Sequence, residues 1–328
     1  MTETTPAARI LAEQAEYLIE VAARAPSVHN TQPWRFAVGG DAIELHADAS
    51  RRLHVDPDGR ELHISCGAAL YGLRLAVRSL GYLPEAELVP GPPGRRLLAR
   101  VRLGSPAPMT AEERKMLAAL PHRHTHRGPF EAGALPAGLL ARLRDDARAE
   151  GAELTEIDPG PARDALMARV AAADREQDED PRARAEIWLW TRSPASPDRD
   201  GVPAQAFPAG PHHADGRLPQ RDFDLGRGLG LLPAGGPAAA AMAVLSTPGD
   251  DAEDWLRAGQ ALHRLLLYAA STWVFATLNT QPLEDAATRS LIRDRLTAPG
   301  WPQVLLAFGI SRVTHPTGRR PAADLIEP

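Results

Sequence analysis

Apolar residues at positions 10, 11, 15, 18, 19 and 22 recur at helical spacing, which predicts an amphipathic helix over about residues 8–25 that stops before Pro26. Residues 34–38 and 42–46 alternate or run apolar around Gly39-Gly40-Asp41, a hairpin pattern. Asp58 and Glu61 then stand three apart ahead of a long apolar-periodic stretch, the spacing of a capping box, and a helix can run from there to Gly81. Residues 88–89 and 97–103 are strand candidates. The pattern then returns. Asp250 and Glu253 repeat the cap spacing ahead of a second long periodic stretch, and the two align without gaps, pairing Gly67 with Gly259, Leu70 with Leu262, Leu73 with Leu265 and Ser79 with Ser271. Either shared helix composition or two related lobes would produce these identities. A glycine inside a helix costs about 1 kcal/mol relative to alanine and usually has a packing or ligand-approach reason. Gly67 and Gly259 are therefore places where another helix or a flat ligand can come close.

Elsewhere the periodicity predicts helices near 110–120, 136–150, 161–176 and 283–294, and strands at 239–245 and 303–308. The apolar run 265–278, interrupted by Ser271 and Thr272, is shorter than the ~20 residues that cross a bilayer and reads as a buried helix. The acidic run 174–180 reads as a solvated helix end. Between 191 and 237 the periodicity disappears among Pro, Gly, Asp and Arg. A loop of that length in a compact domain is usually functional, often a lid.

Composition narrows the class. The chain has 328 residues, and about 150 per domain suggests two domains or one large fold. With 44% hydrophobic residues it is globular in composition, and a net charge of −5 lacks the basic excess of a nucleic-acid binder. The N-terminal residues lack a basic start and apolar block, so a cytoplasmic location is expected, with neither membrane nor nucleic acid as partner. Cys66 is the single cysteine, which excludes an internal disulfide and a multi-cysteine metal site. Every basic residue except Lys115 is arginine. Most of that bias is compositional, and the question is which few arginines have work to do.

Several common motifs fail. Gly226, Gly228 and Gly230 are followed by Leu231, so the dinucleotide spacing is broken, and there is no phosphate-binding GxxxxGK[ST]. Residues 309–313 lack the second glycine of a nucleophile elbow. His122, His124 and His126 alternate and would share one face of an extended segment, as a metal site could require. Arg123 and Arg127 oppose that, because they would set positive charge beside a cation. With Thr125 they instead offer guanidinium forks, a hydroxyl and backbone N–H groups, which suit a phosphate. In RAPSVHNTQPWRF, Pro26 and Pro33 stiffen a loop whose Ser27, His29, Asn30 and Gln32 carry donors and acceptors. Such a loop either hydrogen-bonds a planar heteroaromatic rim or forms a polar turn after the preceding helix.

That loop, with Ala25-Pro26-Ser27, Asn30, Gln32-Pro33-Trp34 and Phe36, resembles the FMN-contacting loop of the nitroreductase family, and RHTHRGPF at 123–130 resembles the family's phosphate motif. The order of the two motifs resembles that of the Acg-type members, in which two diverged lobes form a pseudo-dimer in one chain around a single FMN. Further matches are Trp188, DGVP at 200–203, Arg221-Asp222-Phe223, QPLE at 281–284, WPQVLLAFG at 301–309 and GRRP at 318–321. The resemblance implies an α+β nitroreductase-like fold with central mixed sheets flanked by long helices. Its first lobe would span 1–107 and its second 108–328, with a lid insertion at about 191–237. It implies that Arg123, Thr125 and Arg127 hold the FMN phosphate, joined by Arg319 or Arg320, and that Ser27 and Asn30 contact the ribityl chain and ring edge. His29, Gln32, His124, Asn279 and Gln281 complete the implied cofactor shell; Thr277 to Gln281 would occupy the segment near the reactive N5, where this chain has LNTQP at 278–282 instead of the family's usual Pro-x-Glu-Gly. No residue is implied as a catalytic acid or base, since the flavin carries the chemistry. The implied function is NAD(P)H-dependent two-electron reduction of electron-poor aromatic or quinone-type acceptors through flavin N5, by a monomeric pseudo-dimer. The alternatives are a lid-closed protein that sequesters FMN with little turnover, and a histidine metalloprotein.

Overall fold

The computed structural model describes residues 5–89, 96–209, 221–233 and 239–327. Helix α1 (Pro6–Ala23) begins at Thr5, whose hydroxyl accepts from Ala8 N, with Pro6 pre-set for the first turn. Strands β1 (Trp34–Gly39) and β2 (Ala42–Ala47) form the expected hairpin around Gly40, which has φ +59°. Helix α2 (Arg60–Ser79), β3 (Tyr82–Leu88) and β4 (Leu97–Pro106) complete a sheet in the order β1-β2-β4-β3. After α3 (Ala111–Ala119), α4 (Leu139–Ala149) and β5 (Glu153–Glu156) come α5 (Pro161–Glu179), α6 (Pro181–Trp190), and the short parallel pair β6 (Thr191–Arg192) and β7 (Val202–Pro203). Then follow β8 (Ala241–Thr247), α7 (Ala252–Ala270), β9 (Val274–Asn279), α8 (Gln281–Glu284), α9 (Ala286–Ile292), β10 (Trp301–Ile310) and α10 (Ala322–Leu325). The second sheet has the order β5-β8-β10-β9.

The two sheets share one connectivity. In each, an edge strand is followed by its neighbour, a long helix, the opposite edge strand, and last the strand that slots between. Thus α1-β1-β2-α2-β3-β4 matches α4-β5-β8-α7-β9-β10, and the aligned helices α2 and α7 are topological equivalents. Where the first sheet turns tightly from β1 to β2, the second makes the excursion 157–240. Its described part has a small core of its own, including Ile187, Val202, Phe207 and Phe223. All strand pairs within the two four-stranded sheets are antiparallel. The expected mixed sheets are thus antiparallel, with a single isolated parallel bridge at one outer strand of each, Ile326 beside Phe36 of β1 and Thr125 beside Ala276 of β9. Residues 210–220 and 234–237 of the expected lid lie outside the described residues.

Helices α2 and α7 cross at the two glycines. A Cβ at Gly67 would stand 2.2 Å from the Leu256 carbonyl oxygen, and one at Gly259 would stand 2.0 Å from the Ile64 carbonyl oxygen. The glycine pair therefore serves helix contact, where backbone meets backbone. Beside the crossing, fully buried His263 of α7 donates from Nδ1 to the Ala68 carbonyl of α2 at 2.7 Å.

Three local expectations change. Asp58 does not cap α2: Gly59 occupies the cap in the left-handed region, and the Asp56 carboxylate accepts from Glu61 N and Leu62 N at 3.1 and 2.9 Å. Likewise Asp251, not Asp250, caps α7, accepting from Glu253 N and Asp254 N, while Asp250 pairs with Arg289 and Trp255. The buried helix read into 265–278 ends at Ala270. Trp273 takes φ +59°, and Val274 starts β9, where β-branched and aromatic side chains fill a buried strand.

Gly67→Ala or Gly259→Ala is expected to lower stability by about 3 kcal/mol, because backbone cannot yield as a side chain can. Urea unfolding checks this: an isolated helix position would instead gain about 1 kcal/mol from the alanine. Burial holds His263 down to about 3, with Arg123 nearby adding to the effect. Its neutral form thus supports the fold fully above the unfolded value near 6.5, and that support is lost as pH falls toward 3, at up to about 1.4 kcal/mol per pH unit. His263→Gln is expected to flatten the pH dependence of the urea midpoint over that window.

Candidate functional site

A cleft with about 800 Å³ of empty space, its solvent-open part included, lies between the two halves. The 26–29 loop lines it, together with Glu61, Ile64 and Ser65 on the first turns of α2, Leu262 of α7, Val304 of β10, and residues 277, 278, 280 and 281 at the end of β9. Thr125 and Arg127 enter from the segment beside β9, and Arg221 and Phe223 return to it from the far end of the long excursion.

The 27–32 loop is held in an unusual shape. His29, Asn30 and Gln32 have φ +50°, +55° and +51°, left-handed values that non-glycine residues adopt at a cost. The loop is tied from several sides. Ser27 Oγ accepts from Gln32 N at 3.0 Å. Asn30 Nδ2 donates to the carbonyls of Gly201 and Gly318 at 3.0 and 3.1 Å, and its Oδ1 accepts from Arg319 at 2.9 Å. Gln32 Nε2 donates to the Arg199 carbonyl at 2.9 Å, and its Oε1 accepts from Arg320 N at 2.9 Å.

Positive charge gathers at one end. Arg123 is 5% exposed and donates to the Arg24 carbonyl at 2.9 Å, while Arg319 donates to the Arg24 and Ala25 carbonyls at 3.4 and 3.1 Å. Both thus meet at the carbonyl end of α1, where the helix dipole favours cations. Arg127 lies over the Phe223 ring at 5.3 Å. Among the described residues none of the three has a carboxylate partner, and Nε and Nη1 of Arg123, Nη1 of Arg127 and Nε of Arg319 are buried without an acceptor. Burial pushes Arg123 and Arg127 down to about 10. It depresses Arg319 strongly, with Arg123, Arg24 and Arg127 repelling it further. Buried cations that repel one another and keep free donors are built for an anion.

One acid, Glu61, also lines the cleft. Glu61 is 2% exposed, Oε1 accepts from Arg60 at 3.2 Å, and Oε2 has no partner among the described residues. Burial, then Glu284 and Asp56, raise its carboxyl well above the usual range, against the pull of Arg60 and Arg221. Glu284 pairs with Arg221 at 2.8 Å. His29 is held neutral by burial and by Arg221 and Arg127, and its ring meets Phe223 edge-on at 5.4 Å.

Of the residues singled out in the sequence, Ser27, His29, Thr125, Arg127 and Gln281 line the cleft, and Arg123 and Arg319 stand together with Arg127. The structure separates Arg319 from Arg320, whose guanidinium donates to the Asp324 carbonyl near Arg35 and Arg51. Asn30 and Gln32 use their amides on chain segments outside the cleft lining. Asn279 is buried in β9. His124 packs on Phe275 at 4.5 Å. The three alternating histidines do not form a metal cluster: no group of three or more His, Cys, Asp or Glu with that geometry occurs among the described residues. His122 stacks on Trp273, and Nε2 of His126 lies 3.0 Å from the Pro129 carbonyl. Glu61 and Ser65 were missed as lining residues, Glu61 having stood out only as a helix-cap residue; Thr277 and Arg221 fell within stretches singled out by resemblance but were not named as cofactor contacts.

The fold and site thus define an α+β protein with a cleft, lined by Arg127 of a buried arginine cluster, between two matched halves. No protein-family model matches the chain. It is 34% identical over 326 residues to the Mycobacterium tuberculosis protein named "Putative NAD(P)H nitroreductase Rv3131", covering 96% of this chain and 92% of that one. It is 28% identical to a relative of the same description, acg, over 94% of this chain and 93% of that one. Among solved structures, one described as a "putative nitroreductase" from Anabaena variabilis aligns over 95% of this chain and 90% of its own at TM-score 0.45 and 12% identity. One from Desulfitobacterium hafniense with bound FMN covers 67% of this chain and 99% of its own, at TM-score 0.41 and 14% identity. On its near full-length identity to Rv3131, the chain belongs to the NAD(P)H nitroreductase family. No helix among the described residues is long and apolar enough to cross a membrane.

Inorganic phosphate is expected to raise the melting temperature, a concentration ten-fold above its Kd adding about 1.4 kcal/mol. Arg127→Ala is expected to lose that gain while the anion-free protein stays as stable or becomes more so, since a buried, unpaired charge has been removed. Calorimetry with phosphate against chloride at equal ionic strength measures both; equal shifts in the two salts would return the arginines to compositional background.

Proposed function

We propose that the chain is an FMN-binding, NAD(P)H-dependent oxidoreductase that reduces electron-poor aromatic or quinone-type acceptors. The observation that carries this reading is the cluster of Arg123, Arg127 and Arg319, buried without a carboxylate partner at the end of the cleft. Its relatives' nitroreductase names, with the FMN-loop and phosphate motifs that the sequence resembles, supply the identity of the anion. The residues fit the group. Arg123, Arg127 and Arg319, with Thr125, would hold the phosphate. Ser27 and His29 would stand along the ring edge, and Gln281 and the end of β9 would lie beside the reactive part. When bound, FMN supplies two-electron transfer between nicotinamide and acceptor. The protein supplies charge to retain the phosphate, a stiff loop that sets the plane of the ring, and apolar walls at Ile64, Leu262 and Val304 that exclude water from its neighbourhood.

The matched halves support reading 1–107 and 108–328 as two lobes that complete one site, so that a single chain suffices as a monomeric pseudo-dimer. The placement of Arg221 and Phe223 in the cleft lining supports a second reading, in which the 191–237 segment closes over FMN and limits turnover.

The purified protein is expected to take up FMN and show a flavin absorption band. Arg123→Ala and Arg127→Ala are expected to retain it about ten-fold or more less tightly, a lost charge-assisted contact being worth roughly 1.5–3 kcal/mol. A protein colourless after FMN addition and dialysis defeats the proposal. Stopped-flow mixing with NADH or NADPH separates the two readings: rapid bleaching supports the oxidoreductase, whereas reduction by dithionite alone supports sequestration.

A further inference from the structure

We propose that Glu61 delivers the proton that completes acceptor reduction in this cleft and regains it from solvent through Asp56. The proposal rests on the oxidoreductase reading. Glu61 stands on the first turn of α2, lines the cleft, is almost fully buried, and keeps Oε2 without a partner among the described residues. A carboxylate in that position would be an expensive buried charge, whereas the neutral acid has an O–H to give. The groups facing it are Arg60 beside it, Asp56 in the preceding loop, Glu284 of α8 and Arg221 from the long excursion. The two acids favour the protonated form, and the two arginines stabilise the carboxylate left after donation.

Asp56 supplies the second half of the path. A small inner cavity of about 10 Å³, close to the volume that admits one water, is lined by both Asp56 and Glu61. On its other side Asp56 also lines a surface hollow with Arg52 and His63. Glu61 therefore touches the cleft, Asp56 touches the outer hollow, and the inner cavity touches both acids. Asp56 is already raised by burial, against the N–H groups of Leu62 and Glu61 that it caps, and so is suited to exchanging a proton.

The balance is simple. NAD(P)H is the reductant, and a quinone-type acceptor that has gained a hydride equivalent is an anion with one proton still to gain. The Glu61 O–H bond breaks, an O–H bond forms on the acceptor oxygen, and the carboxylate remains beside Arg60 until a proton returns by way of Asp56. Acid catalysis of this kind is worth roughly 10²–10⁴-fold. Because Glu61 must be protonated to act, acceptor reduction falls as pH rises through its elevated value.

Infrared spectroscopy at neutral pH tests the protonated state without any turnover. The wild-type protein is expected to show a carboxylic-acid C=O band that shifts in heavy water, and Glu61→Gln to lack it. In Asp56→Asn the band is expected to remain, with its exchange into heavy water slowed. The kinetic arm mixes dithionite-reduced, FMN-loaded protein with 1,4-benzoquinone across pH. Reoxidation is expected to be about 100-fold slower in Glu61→Gln at neutral pH and to lose the wild-type fall at high pH. Glu61→Asp, which keeps the acid, is expected to restore the pH dependence. Circular dichroism and FMN content confirm that each variant is folded and loaded. A missing band, a band that survives Glu61→Gln, or an unchanged pH profile in a loaded Glu61→Gln protein overturns the proton role alone. A wild-type chain that takes up no FMN overturns the oxidoreductase reading and this proposal with it.

Discussion

The contact between Gly67 and Gly259 sets the spacing on which the rest of the molecule depends. Helices usually pack with axes about 8–10 Å apart, separated by their side chains. Here a Cβ on either helix would collide with the other's backbone, so the axes approach until main chain touches main chain. Both sheets hang from these helices, with α1 packed on α2 and α4 on α7. The separation of the halves therefore follows from one crossing point. The cleft opens a turn away from it, floored by Ile64 and Ser65 of α2 and Leu262 of α7. Widening the crossing by the size of a methyl group would move both walls of the cleft apart.

Charges of both signs are buried at the cleft. Arg127 lines it and shares a mutually repelling cluster with Arg123 and Arg319, while Glu61 lines it from α2 with Glu284 close enough to raise its carboxyl, each acid tied to one arginine. This is a costly arrangement for an empty protein, because like charges in a low-dielectric site repel and their hydrogen-bonding groups go unused. The rest of the chain does the opposite. Arg142 with Glu112 and Asp146, and Arg264 with Asp146 and Glu150, form ordinary compensated pairs. The contrast separates the three buried arginines without a carboxylate partner among the described residues from those held in ion pairs, and composition alone could not make that distinction.

Much of the architecture was legible because it rests on local periodicity. The hairpin around Gly40, the two long helices and the glycine in each were visible as patterns, and the Gly67/Gly259 pairing anticipated the crossing. Arg123 and Arg127 stood out by their spacing around Thr125. What escaped reading was decided by contacts distant in sequence. Residues 274–278 are as apolar as the helix before them, and only the break at 271–273 and pairing with β10 make them a strand. Arg319 and Arg320 are adjacent and chemically identical; which one turns toward Arg24 depends on how the last segment lies along β1. Glu61 resembled half of a capping box, but Asp56 caps the helix from five residues upstream, and the carboxyl is left to face the cleft. Arg221 and Phe223 reach the site across an excursion without periodicity, which gave no local cue to where it returns.

The strained loop ties these distant segments into one mechanical unit. Left-handed backbone at His29, Asn30 and Gln32 costs of order 1–2 kcal/mol per residue and persists only where surrounding bonds over-determine it. Those bonds come from two places. Residues 199–201 of the excursion accept from Asn30 and Gln32, and residues 318–320 of the C-terminal segment accept from Asn30 and donate to Asn30 and Gln32. If residues 199–201 move away, Gln32 Nε2 loses its 2.9 Å acceptor and Asn30 Nδ2 keeps only the Gly318 carbonyl, so the loop loses part of what holds its shape. Ser27 and His29 line the cleft from the same loop, and Arg319 of the buried arginine cluster is bonded to Asn30. Displacing residues 199–201 would therefore loosen the cleft wall and Arg319 together, because both are bonded to the same loop.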